Sequence, residues 1–143
     1  MPINVARYRN LKNYKYQLVC DYDISIAIKP RDNVRTQFID LDTQGALTIK
    51  NGYAWDGPSG LGIDTRSFMR ASLVHDALYQ LMRAEYLDYR IQQRAADDFL
   101  RVLCVEDGMW KLRAWFNCMM LRLFGKMSAR PAPEPKDEII CIP

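Results

Sequence analysis

Apolar and polar positions change period part-way along the chain. From Tyr14 to about Tyr53, β-branched and aromatic residues come in short runs broken by turn formers, as in Tyr14-Lys15-Tyr16-Gln17-Leu18-Val19 and Ile24-Ser25-Ile26-Ala27-Ile28. Such runs suit strands with one face buried, and they predict an antiparallel β-meander. Asp42-Thr43-Gln44-Gly45 separates Gln37-Phe38-Ile39-Asp40-Leu41 from Ala46-Leu47-Thr48-Ile49-Lys50, and Asn51-Gly52 closes the second run. A hairpin is expected there.

Beyond residue 65 the period becomes that of a helix. Between about Arg66 and Ala84, Phe68, Ala71, Ser72, His75, Leu78, Tyr79 and Met82 recur at i, i+3, i+4 and i+7, with Asp64 or Thr65 available as the N-cap. A second helix is expected from about Asp88 to Asp107, with Ile91, Ala95, Phe99, Val102 and Leu103 on one face and Gly108 as its stop. A third spans about Met109 to Phe124. The order, strands first and then three helices, predicts an α+β fold. Residues 1–127 form a single domain in this reading, and alternating prolines after Ser128 mark 128–143 as an extended tail.

Composition adds few constraints. An apolar share of 49% in 143 residues is enough for one core without staples. The net charge of +3 is too small and too dispersed to imply a nucleic-acid partner. The four cysteines are scattered without a CxxC pair, which fits reduced thiols better than a disulfide framework. The N-terminus is too polar for a signal peptide and no apolar run is long enough to cross a bilayer. These features favour a cytoplasm.

The chemistry concentrates between residues 56 and 98. His75 is the one histidine of the chain and lies in the apolar stripe of the first helix, where an imidazole is either a hydrogen-bonded core residue or a base. Asp76 points about 100° around the helix from it, so the two can serve different tasks. Tyr79 adds a hydroxyl one turn on. The second helix carries Asp97 and Asp98, either of which can orient an imidazole and stabilise its cation. Periodicity places Asp98 beside Ile91 and Val102, and both aspartates can instead pair with Arg94 or Arg101 on a solvated face. Before the first helix, Trp55-Asp56-Gly57-Pro58-Ser59-Gly60-Leu61-Gly62-Ile63-Asp64 holds three glycines and a proline in ten residues, too many for helix or strand. Such a loop can turn carbonyls toward a hard cation that is also bound by a carboxylate.

Two resemblances rest on these residues. Gly52-Tyr53-Ala54-Trp55-Asp56-Gly57-Pro58-Ser59, Ser72-Leu73-Val74-His75-Asp76-Ala77-Leu78-Tyr79 and Ala96-Asp97 resemble a phage and prophage family known as domain of unknown function 1353, over roughly residues 35 to 125. That family brings no established activity. It keeps an acidic residue where Asp56 stands, which makes Asp56 a candidate ligand or substrate contact, or equally a cap of the loop through its own backbone. The same order of features more distantly resembles the phospholipase A2 superfamily, especially the short, disulfide-free form in parvovirus capsids, where a Gly-Pro-rich calcium loop precedes His-Asp-x-x-Tyr and then Ala-Asp.

The second resemblance implies an antiparallel helix pair of phospholipase A2 type and a Ca²⁺-assisted hydrolase acting on a lipid ester at a phospholipid surface. His75 would be the general base and Asp97 its orienter, with Asp98 as the competing carboxylate and Tyr79 beside them. Asp76 and the loop at Gly57, Ser59, Gly60 and Gly62, with Asp56 nearby, would bind the cation. A different class of reading is a phage accessory, either a virion component or an inhibitor binding a host protein, in which the same side chains form a structural polar network. A third keeps the site but places Zn²⁺ or Mn²⁺ on His75 with Asp76, Asp56 or Asp97. Zinc ranks lowest, because one histidine leaves too many positions to carboxylates. The third helix mixes Trp110, Leu112, Trp115, Phe116, Met119, Met120, Leu123 and Phe124 with Lys111, Arg113, Arg122 and Lys126. Packing against the sheet is expected of it before a membrane interface.

Overall fold

The computed structural model describes residues 6–10, 16–55, 66–116 and 118–119. Their arrangement is α+β, an N-terminal antiparallel strand region in two sheets followed by three helices. The first sheet joins β1 (Tyr8–Asn10), β2 (Tyr16–Leu18) and β7 (Ala54–Trp55) in the order β1-β2-β7. The second contains β3 (Tyr22–Ser25), β4 (Val34–Arg35), β5 (Ile39–Leu41) and β6 (Ala46–Ile49) in the order β3-β6-β5-β4. Every pairing is antiparallel, as expected. The order is not strictly sequential, because β3 closes onto β6 and β7 returns to β2.

The expected hairpin joins β5 to β6, with Leu41 opposite Leu47 and Ile39 opposite Ile49, so both strands send their aliphatic side chains to one buried face. Asp42 Oδ1 holds the turn by accepting from the backbone N–H groups of Gln44 and Ala46. Gly45 takes φ +88°, and a Cβ there would collide with the Ile26 carbonyl oxygen. Glycine is therefore required both for backbone conformation and for space.

α1 (Arg66–Arg83) and α2 (Tyr89–Glu106) form a helical hairpin. Their antiparallel sense follows from the contacts: Arg70, near the start of α1, reaches Glu106 and Asp107 at the end of α2, while Tyr79 near the end of α1 reaches Asp97. α1 ends where Glu85 adopts φ +64° and Tyr86 N–H donates to the Leu81 carbonyl. At the end of α2, Gly108 at φ +97° and Met109 N–H on the Cys104 carbonyl repeat the motif. Asp88 caps the start of α2 by accepting from Arg90 N–H. The alternative N-caps of α1, Asp64 and Thr65, lie outside the described residues, as do the side chain of Phe68 and the proline-rich segment 128–143.

α1 is buried on nearly every side, between residues of the sheets and of α2 in one continuous apolar core. Its expected inward residues Ala71, Ser72, His75, Leu78, Tyr79 and Met82 are all buried. On α2 the expected face is corrected. Of its expected residues Leu103 is buried and Ala95 and Phe99 pack against the core, but Ile91 is 68% exposed and Val102 also lies at the surface, and Ala96, Asp97, Leu100 and Cys104 are buried in addition. The helix is thus rotated so that its inner row combines small and aliphatic side chains with one aspartate. The third helix, described over 111–116 and 118–119, also departs from expectation. Ala114 and Cys118 are its buried residues, while Trp110, Leu112, Trp115 and Phe116 are exposed. Two small side chains on one edge allow close seating there and turn the large apolar residues outward.

Candidate functional site

The hairpin sets α1 and α2 side by side so that residues near their midpoints meet. His75 and Tyr79 lie one turn apart on the same face of α1, with ring centroids 4.0 Å apart. Asp97 enters from α2. Its Oδ1 lies 2.7 Å from His75 Nε2 and accepts a 2.6 Å hydrogen bond from the Tyr79 hydroxyl. Asp97 is wholly buried and His75 is 5% exposed, so both bonds sit in a dry environment where their electrostatic strength is high. Asp97 Oδ2 has no hydrogen-bond partner among the described residues.

Of the aspartate pair, then, Asp97 reaches His75. Asp98 is partly buried, and its Oδ1 lies 4.0 Å from Cys118 Sγ. The same thiol donates to the Asp97 backbone carbonyl at 3.3 Å, seating the third helix against the helix that carries the carboxylate. Cys118 is absent from any pattern visible in the chain. A thiol two turns into an apolar segment reads as packing, and only the fold shows its polar contact.

A carboxylate on Nε2 fixes that nitrogen as the donor and leaves Nδ1 as the basic one. Nδ1 faces Asp76, whose Oδ1 is 3.8 Å away and whose side chain is partly exposed. A neutral Nδ1 and a carboxylate both present lone pairs, so this side of the ring favours a proton, a donor or a cation. Burial pushes the His75 pKa down, but the hydrogen bonding and charge of Asp76 and Asp97 outweigh it and hold the imidazole above its ordinary value of 6.5. Tyr79 is raised well above the ordinary phenol range by burial and by Asp97, which keeps it a neutral donor.

Two further contacts frame the site. Trp55 Nε1 donates to Ser72 Oγ at 3.2 Å, and Ser72 donates to the Met69 carbonyl. β7 is thereby fastened to α1 one turn before His75, immediately ahead of the glycine-rich segment. On the other flank Arg70 makes a two-pronged contact with Asp107, at 3.0 and 2.8 Å, and another with Glu106 at 3.1 Å. The i to i+3 step from Ser72 to His75 is visible in the chain. The pairing of Arg70 with Asp107 has no local signal, because 37 residues separate them.

The remaining sequence-derived candidates, Asp56, Gly57, Ser59, Gly60 and Gly62, lie outside the described residues. Among the described residues no group of three or more His, Cys, Asp or Glu side chains is placed to hold a metal ion. Asp76 is the one expected calcium ligand within them. No helix among them is long and apolar enough to cross a membrane.

Comparison with protein-family models, with curated proteins and with solved structures finds no match to this chain.

Proposed function

We propose that this chain is a phage-encoded hydrolase of phospholipase A2 type, cleaving a lipid ester with His75 as general base. The observation that carries the reading is the buried His75 Nε2 to Asp97 Oδ1 contact of 2.7 Å with Tyr79 on the same oxygen. It matches the base, orienter and tyrosine that the His-Asp-x-x-Tyr and Ala-Asp resemblance implies, and it leaves Nδ1 as the proton acceptor. As water attacks the ester carbonyl carbon, Nδ1 takes its proton, and Asp97 offsets the positive charge gained by the ring. The proton then passes to the departing alcohol oxygen as the ester bond breaks. Tyr79 holds the carboxylate in place.

Ca²⁺ enters the same proposal. Asp76 with carbonyls of the Gly57–Gly62 loop would hold it, and when bound it would polarise the ester carbonyl and stabilise the oxyanion. Asp76 suits that role in being partly exposed and close to Nδ1. Hydrolysis of phospholipid with and without Ca²⁺, comparing the parent with His75→Ala, tests the function. An inert folded parent, or a variant as active as the parent, removes it.

The depth of the site favours one second reading. His75 and Asp97 are as buried as core side chains, as they would be in a phage accessory protein, a virion component or inhibitor of a host function, whose polar network only stabilises the fold. Full biological activity in a His75→Gln variant supports that reading against the hydrolase.

A further inference from the structure

Among its described residues the third helix has two apolar faces, and the core uses mainly one of them. Stepping about 100° per residue, the buried Ala114 and Cys118 lie on one side. On the other, Leu112, Trp115, Phe116 and Met119 fall at i, i+3, i+4 and i+7. Leu112 is 71%, Trp115 51% and Phe116 55% exposed, and Met119 is partly buried. Lys111 and Arg113, both exposed, project about 100° and 300° from Trp110, on either border of the outer apolar face, which lies between about 140° and 240°. From Gly108 to Pro133 the chain has five basic residues and no acidic one.

We propose that this outer face docks the protein on an anionic lipid surface, with Leu112, Trp115 and Phe116 entering the boundary between headgroups and acyl chains and Lys111 and Arg113 contacting lipid phosphates. A row of large apolar side chains bordered on both sides by cations matches a membrane interface, where the rings partition below the phosphates while the long basic stems reach up to them. It suits a second copy of the chain less well, since two such faces brought together place cations against cations. The docking stands apart from the hydrolase reading; only its purpose, delivery of His75 to lipid esters, rests on that reading.

The test is co-sedimentation of the full chain with vesicles of phosphatidylcholine alone and of phosphatidylcholine with phosphatidylglycerol, at low and high salt. The parent should bind the anionic vesicles at low salt with a blue shift of tryptophan emission. The double variant Trp115→Ser, Phe116→Ser should lose roughly tenfold or more in affinity while melting like the parent. Lys111→Glu with Arg113→Glu should abolish the preference for the anionic vesicles. A folded parent that binds neither vesicle, or a serine variant that binds as the parent does, overturns the proposal. So does a concentration-dependent dimer that the serine variant loses without any vesicle binding, which would assign the face to a second copy. The outcomes separate from those of the hydrolase: binding without hydrolysis leaves the surface and removes the enzyme, while hydrolysis of a dispersed short-chain ester without vesicle binding does the reverse.

Discussion

Asp97 Oδ1 lies 2.7 Å from His75 Nε2, and this contact joins the two helices of the hairpin at a point where Asp97 is wholly buried and His75 nearly so. A buried carboxylate survives there because two donors, the imidazole and the Tyr79 hydroxyl, converge on one of its oxygens. Removing Asp97 takes the shared acceptor from both donors, whereas removing either donor leaves the carboxylate with the other.

Stability should follow that dependence. Asp97→Ala strands both His75 and Tyr79, and it should cost about 3 kcal/mol or more in urea unfolding. Tyr79→Phe removes one donor and no charge, with an expected cost of about 1–2 kcal/mol. Equal costs for the two variants would contradict the central place given to Asp97.

The pH dependence has a definite sign. The folded-state pKa of His75 is raised above 6.5, so the folded state holds its proton more tightly than the unfolded one. The stabilisation is fully present below pH 6.5 and is lost as pH rises through the raised folded value. If His75 is the base, activity should rise over that same span, because Nδ1 must be unprotonated to act. Melting temperature and the imidazole proton resonances, followed against pH, check this, and Asp97→Asn should shrink both effects. A resonance titrating below 6.5 in the parent would refute it.

Two glycines with positive φ should behave differently. At Gly45 an added methyl meets the Ile26 carbonyl oxygen as well as the unfavourable φ, whereas at Gly108 nothing lies within 4 Å and only the conformational cost applies. Gly108→Ala should therefore cost about 1 kcal/mol and Gly45→Ala clearly more, on the order of 2–4 kcal/mol. Urea midpoints measured side by side decide between this order and its reverse.

Arg70 tests how the far end of the hairpin is held. Its guanidinium meets both Asp107 oxygens and Glu106, a geometry that lysine cannot reproduce. Arg70→Lys should lose about 1–2 kcal/mol although the charge is kept. A lysine variant as stable as the parent would show that charge alone suffices.

Much of this arrangement was legible in the chain, and the exceptions have physical causes. The 3.6 period in α1 placed His75 and Tyr79 together because that helix is buried almost all round, so any inward stripe drawn on it is correct. α2 was harder. Ile91 and Val102 suggested a face on which Asp98 would sit, yet both are exposed, and the helix presents the expected Leu103 together with Ala96, Leu100 and Cys104, with Asp97 among them. Hydrophobicity alone could not find this, since the decisive interaction is a polar one made by residues 22 positions away. Periodicity pointed to Asp98 and the His-Asp, Ala-Asp motif to Asp97, and the geometry agrees with the motif. Similarly, the apolar third helix read as core, but among its described residues Ala114 and Cys118 are buried and the tryptophans are exposed; Met120, Leu123 and Phe124 lie outside the described residues. The strand order was beyond local patterns, because the pairing of Tyr22 with Ile49 and of Tyr16 with Trp55 joins segments far apart in the chain.

The most direct test of the central claim is the initial rate of phospholipid ester hydrolysis by the folded parent, His75→Ala, Asp97→Asn and Asp98→Asn, each with Ca²⁺ and with chelator. The parent should show a Ca²⁺-dependent rate that is abolished in His75→Ala. Asp97→Asn, which loses the charge opposite the imidazolium, should retain no more than about a hundredth of it, and Asp98→Asn should remain close to the parent. An inert parent with the melting temperature of a well-folded protein, or a His75→Ala variant with undiminished rate, would contradict it.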